Sequence, residues 1–449
     1  MPTRVILVRH GESSYNVERR VQGYLDESTL TETGKTMAQQ VGIALRGLPI
    51  DIAYTSPLQR AKDTADIILA QLSDSPLLKV TESLKEINLA LWEGLLFSDI
   101  EEKHPEQYRQ WREAPDQLCM QVTDAEGRVQ DYYPVQSLYE RAQQVWREIL
   151  PNHEGQTLLI VGHSGINRAL INTAIGLTAE QYQVINQANC AISVLNFAAG
   201  FGSPVQIESL NQTAHLGQPL PNPRKGEQGV RLLLVRHGET QWNREKRFQG
   251  QIDVPLNETG RLQGEQVAQF LKSIPLRYAV SSPLLRPKQT AEMILHYHPT
   301  VNLELEADLK EISHGLWEGK LEAEIAADFP GMLEQWQTAP ETVQMPEGEN
   351  LQDVWKRAIA AWNRIVQTAM ERPERGITLV VAHDAINKAI LCHVVGLGPE
   401  SFWRFKQGNG AVSVIDYPMG VAGKPILQAS NITAHLAGGV LDQTAAGAL

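Results

Sequence analysis

Short apolar runs without polar alternation recur along the chain: Val5-Ile6-Leu7-Val8, Leu158-Leu159-Ile160-Val161, Leu232-Leu233-Leu234-Val235 and Leu379-Val380-Val381-Ala382. Runs of this length predict buried strands. Each ends abruptly at a polar pair or a histidine. Between them the spacing lengthens to a helical period: Thr31-Glu32-Thr33-Gly34 opens a helix to about Arg46, and Leu256-Asn257-Glu258-Thr259-Gly260 opens its counterpart. A short strand, Ile52-Ala53-Tyr54-Thr55, leads into Ser56-Pro57-Leu58-Gln59-Arg60, where Ser56 is expected to cap a helix started by Pro57. Strand followed by helix, repeated, predicts an α/β chain with strands that bring their carboxyl ends to one edge.

The same succession is written twice. Val8-Arg9-His10-Gly11-Glu12 returns as Val235-Arg236-His237-Gly238-Glu239, with Asn16 matched by Asn243. The glycine is expected to let the backbone turn sharply after each strand. Ser56-Pro57-Leu58-Gln59-Arg60 returns as Ser282-Pro283-Leu284-Leu285-Arg286, and Leu84-Lys85-Glu86-Ile87 with Leu91-Trp92-Glu93-Gly94 returns as Leu309-Lys310-Glu311-Ile312 with Leu316-Trp317-Glu318-Gly319. Gly162-His163 is matched by Ala382-His383, with helices expected near Ile166 and Ile386; Asn189 to Phe197 is matched by Asn409 to Tyr417, a further strand. Thr213-Ala214-His215-Leu216 closes the first copy and Thr433-Ala434-His435-Leu436 the second. The boundaries that follow are a first domain over 1–216, a polar, proline-rich linker over 217–230, a second domain over 231–438 and a loose tail over 439–449. Between them, the polar, proline-punctuated stretches from about Leu95 to Asp131 and Leu321 to Met345 are expected to be helical and to cover a site.

Composition narrows the class. At 449 residues, 42% hydrophobic and 20% charged, the chain is long enough for two ordinary globular cores. A net charge of −12 argues against nucleic acid as the main partner, because phosphate backbones call for basic surfaces. Cys119, Cys190 and Cys392 match no metal-ligand spacing and are too few for a disulfide framework, which suits a reducing compartment. Met1-Pro2-Thr3-Arg4 enters the first strand without a leader pattern, and no apolar run reaches membrane-spanning length. The expectation is a soluble, cytoplasmic protein with no membrane association. His296 and His298 are read as solvated loop residues, and no metal site is expected.

Taken together, one copy holds Arg9 and His10 after a strand, Arg60 in a first helical turn, a carboxylate at Glu86 and His163 after a later strand. An arginine in a first helical turn opposes the helix dipole, so its placement there points to an anionic ligand rather than to solvation. A phosphate monoester carries close to two negative charges, which Arg9, Arg60 and His163 can meet without a cation. His10 is placed to attack phosphorus through one ring nitrogen, the other held by a backbone carbonyl, and Glu86 to protonate the departing alcohol and then deprotonate water. Asn16 can donate one more bond to the phosphoryl group.

These motifs, Arg-His-Gly, Ser-Pro-Leu-x-Arg, a glutamate ahead of Trp-Glu-Gly and a late strand ending in histidine, resemble those of the histidine phosphatase (phosphoglycerate mutase-like) superfamily, in tandem and over almost the whole chain. The resemblance implies two doubly wound α/β sandwich domains of the phosphoglycerate mutase-like type. It implies His10 and His237 as phosphorylated nucleophiles and Glu86 and Glu311 as proton donors. Arg9, Asn16, Arg60 and His163, and likewise Arg236, Asn243, Arg286 and His383, would form the phosphate pockets. No cofactor is implied, and the partner is a small phosphorylated metabolite.

The copies depart from that pattern in different places. Gly165 and Arg168 follow His163 as expected, whereas Asp384, Ala385 and Lys388 follow His383; conversely, Pro346-Glu347-Gly348-Glu349-Asn350 has only Pro134-Val135-Gln136-Ser137 opposite it. The Leu-Trp-Glu-Gly motif and short insertion favour hydrolysis of small phosphate monoesters, sugar phosphates or phosphoserine, over a mutase, which must keep the phosphohistidine from water. The tandem layout also resembles photosynthetic proteins that hydrolyse 2-carboxyarabinitol 1-phosphate. One catalytic copy beside one phospho-ligand-sensing copy is a further alternative. A serine hydrolase is disfavoured, because Gly162-His163-Ser164-Gly165 lacks the Gly-x-Ser-x-Gly spacing and Asp384 stands where the serine would recur. A purely binding protein would need neither the histidines nor the glutamates.

Overall fold

The computed structural model describes residues 2–123, 127–223, 229–372, 376–420, 423–437 and 439–444. Residues 1–207 with 211–218 form one compact unit and residues 208–210 with 219–449 a second.

In unit 1 the strands are β1 (Thr3–Arg9), β2 (Ile52–Thr55), β3 (Leu77–Val80), β4 (Met120–Thr123), β5 (Val129–Tyr132), β6 (Thr157–Gly162), β7 (Ile192–Phe197) and β8 (Val205–Gln212). The main sheet runs β3-β2-β6-β1-β7-β8. The first four strands of that order are parallel, and β7 is antiparallel to β1. Val5, Ile6, Leu7 and Val8 are completely buried, as are Leu158 to Val161, so the unbroken apolar runs do mark strands covered on both faces. Helices Glu32–Leu45 and Gln59–Leu69 lie against each other, as do Pro134–Ile149 and Ser164–Ile175. The parallel connections run outward from β1 through β2 to β3 and back inward to β6, so the right-handed rule for such crossovers places the first pair on one face and Pro134–Ile149, with Ser164–Ile175 packed on it, on the other. Trp146, fully buried, ties the second pair together by donating its indole N–H to the Leu170 carbonyl at 2.9 Å.

Unit 2 repeats the plan with β9 (Val230–Arg236), β10 (Leu276–Ser281), β11 (Leu303–Leu305), β12 (Ile377–Ala382), β13 (Val412–Tyr417) and β14 (Ile426–Ile432), in the order β11-β10-β12-β9-β13-β14. Its long helix Leu351–Glu371 begins at Asn350, whose side chain accepts from the Asp353 N–H at 2.9 Å.

Several local expectations are corrected. Helix Gln59–Leu69 starts two residues after Pro57; its Gln59 N–H is met by Asp26 Oδ1 at 2.7 Å, and Ser56 Oγ only takes the Leu58 N–H at 3.3 Å. The helices after β6 and β12 start at Ser164 and Asp384, earlier than Ile166 and Ile386, so that His163 and His383 are themselves the N-cap residues. Gly11 does not supply a left-handed turn: a Cβ there would stand 2.5 Å from the Gly34 carbonyl oxygen, so the residue permits close backbone approach instead. The stretch before Asp131 is helical over Phe97–Lys103 and Pro105–Glu113, but its longer first-copy segment contains the β4–β5 hairpin, and residues 124–126 lie outside those described. Strands β3, β8, β11 and β14 have no counterpart in the sequence reading. Of the expected linker, Leu220 is buried in the unit 2 core and the Pro221 carbonyl accepts from Arg231 at 2.6 Å, while 224–228 lie outside the described residues. In the expected tail, the Asp442 side chain is enclosed and pairs with Lys406 at 3.4 Å, and 445–449 are not described. His298 is buried rather than solvated; His296 is exposed.

One buried histidine gives unit 2 a distinct acid response. His314 is completely buried, its ring nitrogens lack partners, and burial pushes it down from 6.5 to about 3. Since the unfolded chain binds that proton first, the contribution is intact above pH 6.5 and is lost as pH falls toward about 3, with a slope of about 1.4 kcal/mol per pH unit. The first copy has Leu89 at this position. His314→Leu is expected to leave the urea midpoint at pH 7 unchanged or higher and to flatten its decline at pH 5; an undiminished decline would assign the acid sensitivity elsewhere.

Candidate active site

The carboxyl ends of β1, β6 and β2 lie side by side, and each delivers one part of the site. After β1, the His10 N–H continues the ladder to the Gly162 carbonyl at 2.9 Å, which brings His10 next to His163 at the end of β6; the ring centroids are 5.2 Å apart, edge to face. His10 Nδ1 lies 2.7 Å from the Gly11 carbonyl oxygen. A carbonyl only accepts, so Nδ1 carries the proton and Nε2 keeps its lone pair. Burial, then Arg9 and Arg60, hold His10 well below the usual histidine range, which keeps the ring neutral at pH 7.

After β2, Arg60 lies at the second position of its helix and is completely buried. Its Nη1 and Nη2 donate to the Leu25 and Gly23 carbonyls, both at 2.9 Å, leaving Nε without a partner. Gly23 has a φ of 51°, and a Cβ there would lie 1.9 Å from Glu93 Oε1. Glu93 accepts from the Tyr24 N–H at 2.7 Å. This separates the two carboxylates of the third motif: Glu93 braces the loop that aims Arg60, and Glu86 stands in the site. Glu86 follows β3, and its carboxylate accepts from Ile87 N–H at 2.8 Å, Gly165 N–H at 3.1 Å and Ile166 N–H at 3.2 Å. It thus sits on the positive end of helix Ser164–Ile175. Gly165 makes room for it, since a Cβ would meet Glu86 Oε1 at 2.4 Å.

Arg9 donates to the Gln187 carbonyl at 2.9 Å while its Nε is unpartnered; burial pushes this guanidinium down to about 10, still fully charged at neutral pH. His163 is completely buried and neither ring nitrogen has a partner. Burial, then Arg60 and His10, hold its basicity well below the usual range. That direction leaves the His163 ring neutral at pH 7, with the arginines as the charged groups beside it. Asn16 Oδ1 is occupied by Ser13 N–H at 3.1 Å, Ser13 Oγ at 3.0 Å and Asn189 Nδ2 at 3.1 Å, which turns its NH2 group away from them.

Unit 2 builds the same site with its own residues. His237 Nδ1 lies 2.7 Å from the Gly238 carbonyl oxygen, and its Nε2 accepts from Arg286 Nε at 3.2 Å. His383 lies 5.2 Å from His237, centroid to centroid, and its Nε2 is 2.8 Å from Ser282 Oγ. Arg236 donates to the Gln407 carbonyl, and Asn243 Oδ1 accepts from Thr240 and Asn409. Glu311 accepts from Ile312 N–H at 3.0 Å and, at a longer 3.4 Å, from Ala385 N–H. Burial, then the Asp384 charge, raise its pKa above the usual carboxylate value, which favours the protonated form. Every sequence-derived candidate thus gathers at one of two sites, six in each.

The sequence reading missed the residues that hold these candidates. Asn189 donates to the His10 and Gly11 carbonyls at 2.9 and 3.2 Å as well as to Asn16, and Asn409 repeats the pattern on His237 and Asn243. Their presence at the head of two matched segments was the available clue. Thr64 and Thr290 accept the Gly11 and Gly238 N–H groups at 3.0 and 3.1 Å. Arg141 and Arg357 donate to the carbonyls of Glu86 and Glu311 at 2.8 and 3.0 Å.

A neutral histidine with one unprotonated ring nitrogen, faced by buried arginines and a carboxylate at the carboxyl edge of a sheet, is built to receive a small dianion and a nucleophilic displacement. The chain belongs to the histidine phosphatase superfamily (branch 1), whose sequence model matches residues 5–210 and again 232–426. It is 31% identical over 447 residues to 2-carboxy-D-arabinitol-1-phosphatase of Triticum aestivum, covering 96% of this chain and 86% of the relative. It is 33% identical over 209 residues to phosphoserine phosphatase 1 of Hydrogenobacter thermophilus, covering 46% of this chain and 94% of that protein. The solved structure of Bacillus stearothermophilus YhfR aligns over 46% of this chain and all of its own (100%) at 28% identity, with a TM-score of 0.43.

Proposed function

We propose that each unit hydrolyses small phosphate monoesters through a phosphohistidine, without a metal ion. The observation that carries this reading is the Nδ1–carbonyl contact of His10 and of His237, which leaves Nε2 as the nucleophilic atom beside buried guanidinium groups. In the first step the Nε2 lone pair forms the N–P bond as the ester P–O bond breaks; Glu86 or Glu311 gives its proton to the departing oxygen. In unit 2 burial and the Asp384 charge favour the protonated form of Glu311. In the second step the carboxylate takes a proton from water, the hydroxide attacks phosphorus and the N–P bond breaks, returning neutral histidine and inorganic phosphate. Arg9, Arg60, Asn16 and His163, with their unit 2 counterparts, bind the equatorial oxygens.

The relatives named for 2-carboxy-D-arabinitol 1-phosphate and phosphoserine support sugar phosphates and phosphoserine as the substrate class. Free thiols at Cys119, Cys190 and Cys392 support a reducing, cytoplasmic setting, and no helix among the described residues is long and apolar enough to cross a membrane. Phosphate release from a panel of phosphoserine, 3-phosphoglycerate, sugar phosphates and a chromogenic ester is expected to persist in EDTA. Loss of turnover on chelation, restored by a divalent cation, would replace this mechanism.

A further inference from the structure

Two basic side chains border each site, and the copies treat them differently. In unit 1, Arg141 donates to the Glu86 carbonyl and to the Tyr24 hydroxyl, both at 2.8 Å, and lies over the Tyr24 ring. Arg168 donates to Asn186 Oδ1 at 3.1 Å and lies 5.7 Å over the Tyr182 ring. Among the described residues neither forms an ion pair with a carboxylate.

In unit 2 both positions carry a built-in acid. Arg357 meets Glu349 with two parallel bonds of 2.8 Å, where the first copy has Tyr133 at the same spacing before Arg141. Lys388 Nζ lies 2.8 Å from Asp384 Oδ2, and Asp384 Oδ1 is 3.6 Å from Arg236 Nη1, a phosphate-pocket group. Lys388 is further enclosed by the Phe402 and Trp403 rings at 5.2 and 4.5 Å. The first copy has Ser164 in place of Asp384 and Arg168 in place of Lys388. Both acid-base pairs of unit 2 are largely buried, so their charges are poorly screened by solvent. Ala385 for Gly165 and Phe402 for Tyr182 add a methyl and remove a hydroxyl beside Glu311, so the change extends across this wall.

We propose that unit 1 selects phosphate esters bearing a carboxylate near the ester, with Arg168 and Arg141 receiving it, whereas Asp384 and Glu349 turn unit 2 toward esters whose remaining group is neutral or cationic. Unit 1 offers guanidinium groups whose hydrogen bonds go to neutral oxygens and whose fork geometry matches a carboxylate. In unit 2 a substrate carboxylate would meet two fixed anions and bases already paired, and rejection by an unmatched like charge is an effective device for selectivity. The duplication then widens the substrate range rather than doubling one activity. This rests on the hydrolytic reading above.

Phosphoserine and phosphoethanolamine differ only by a carboxylate and form the test pair. In full-length His237→Ala, where unit 1 reports, the kcat/KM ratio of phosphoserine to phosphoethanolamine is expected to exceed that of His10→Ala by about tenfold or more. Arg168→Gln added to His237→Ala is expected to raise KM for phosphoserine alone, and Asp384→Ser added to His10→Ala to shift the ratio toward phosphoserine. Equal ratios in the two single-site chains, unmoved by either substitution, overturn the proposal while leaving hydrolysis intact. If no chain releases phosphate, hydrolysis falls instead, and calorimetric titration with 3-phosphoglycerate and glycerol 3-phosphate decides selectivity. A preference of the intact chain for the carboxylate ester that Arg168→Gln removes supports it, and equal affinities overturn it.

Discussion

Replacing His10 and His237 together by alanine is expected to lower phosphate release by about a thousandfold or more for every ester the protein hydrolyses, because no other group can form the N–P bond. The two rings share one geometry: Nδ1 on the carbonyl of the following glycine, an edge-to-face partner histidine at 5.2 Å and full burial. Each single substitution should therefore remove one component of the activity and leave the other. Rapid acid-free quenching with labelled ester should trap phosphate on the chain in each single variant and none in the double variant. Full activity in the double variant would require a different nucleophile.

The second large effect concerns Glu86. Glu86→Gln in the His237→Ala chain is expected to cost about a hundred- to ten-thousandfold in kcat for alkyl phosphates, whose leaving oxygen needs a proton. The loss should be much smaller for 4-nitrophenyl phosphate, which departs as a stable anion. The contrast matters because Glu86 also receives three backbone N–H groups at the start of helix Ser164–Ile175. A purely structural loss would depress both esters equally, so a leaving-group-independent defect would reassign Glu86 to positioning. Glu311→Gln in the His10→Ala chain should show the same contrast. There the carboxyl group is already biased toward its protonated form by burial and Asp384, so the acidic limb of its pH profile should extend to higher pH.

The sequence by itself determined the strands that carry the site, the duplication and the twelve candidate residues. Unbroken apolar runs bounded by polar residues read as buried strands, and a motif that pairs histidine with arginine at the end of such a run points to the edge where ligands bind. It also identified, as departures between the copies, Asp384, Ala385, Lys388 and Glu349. Left to the tertiary structure were the interactions whose partners lie far apart in the chain. The tautomer of His10 depends on one carbonyl, the aim of Arg60 on the Gly23 and Leu25 carbonyls that Glu93 braces, and the orientation of Asn16 on Asn189. The cap of helix Gln59–Leu69 comes from Asp26 rather than Ser56, and Gly11 answers to Gly34 rather than to a turn. Periodicity and local caps report what a residue does to its own segment. Which of two carboxylates meets the phosphate, and whether a base is already paired with an acid, are settled only when β1, β2 and β6 bring separate loops to one edge.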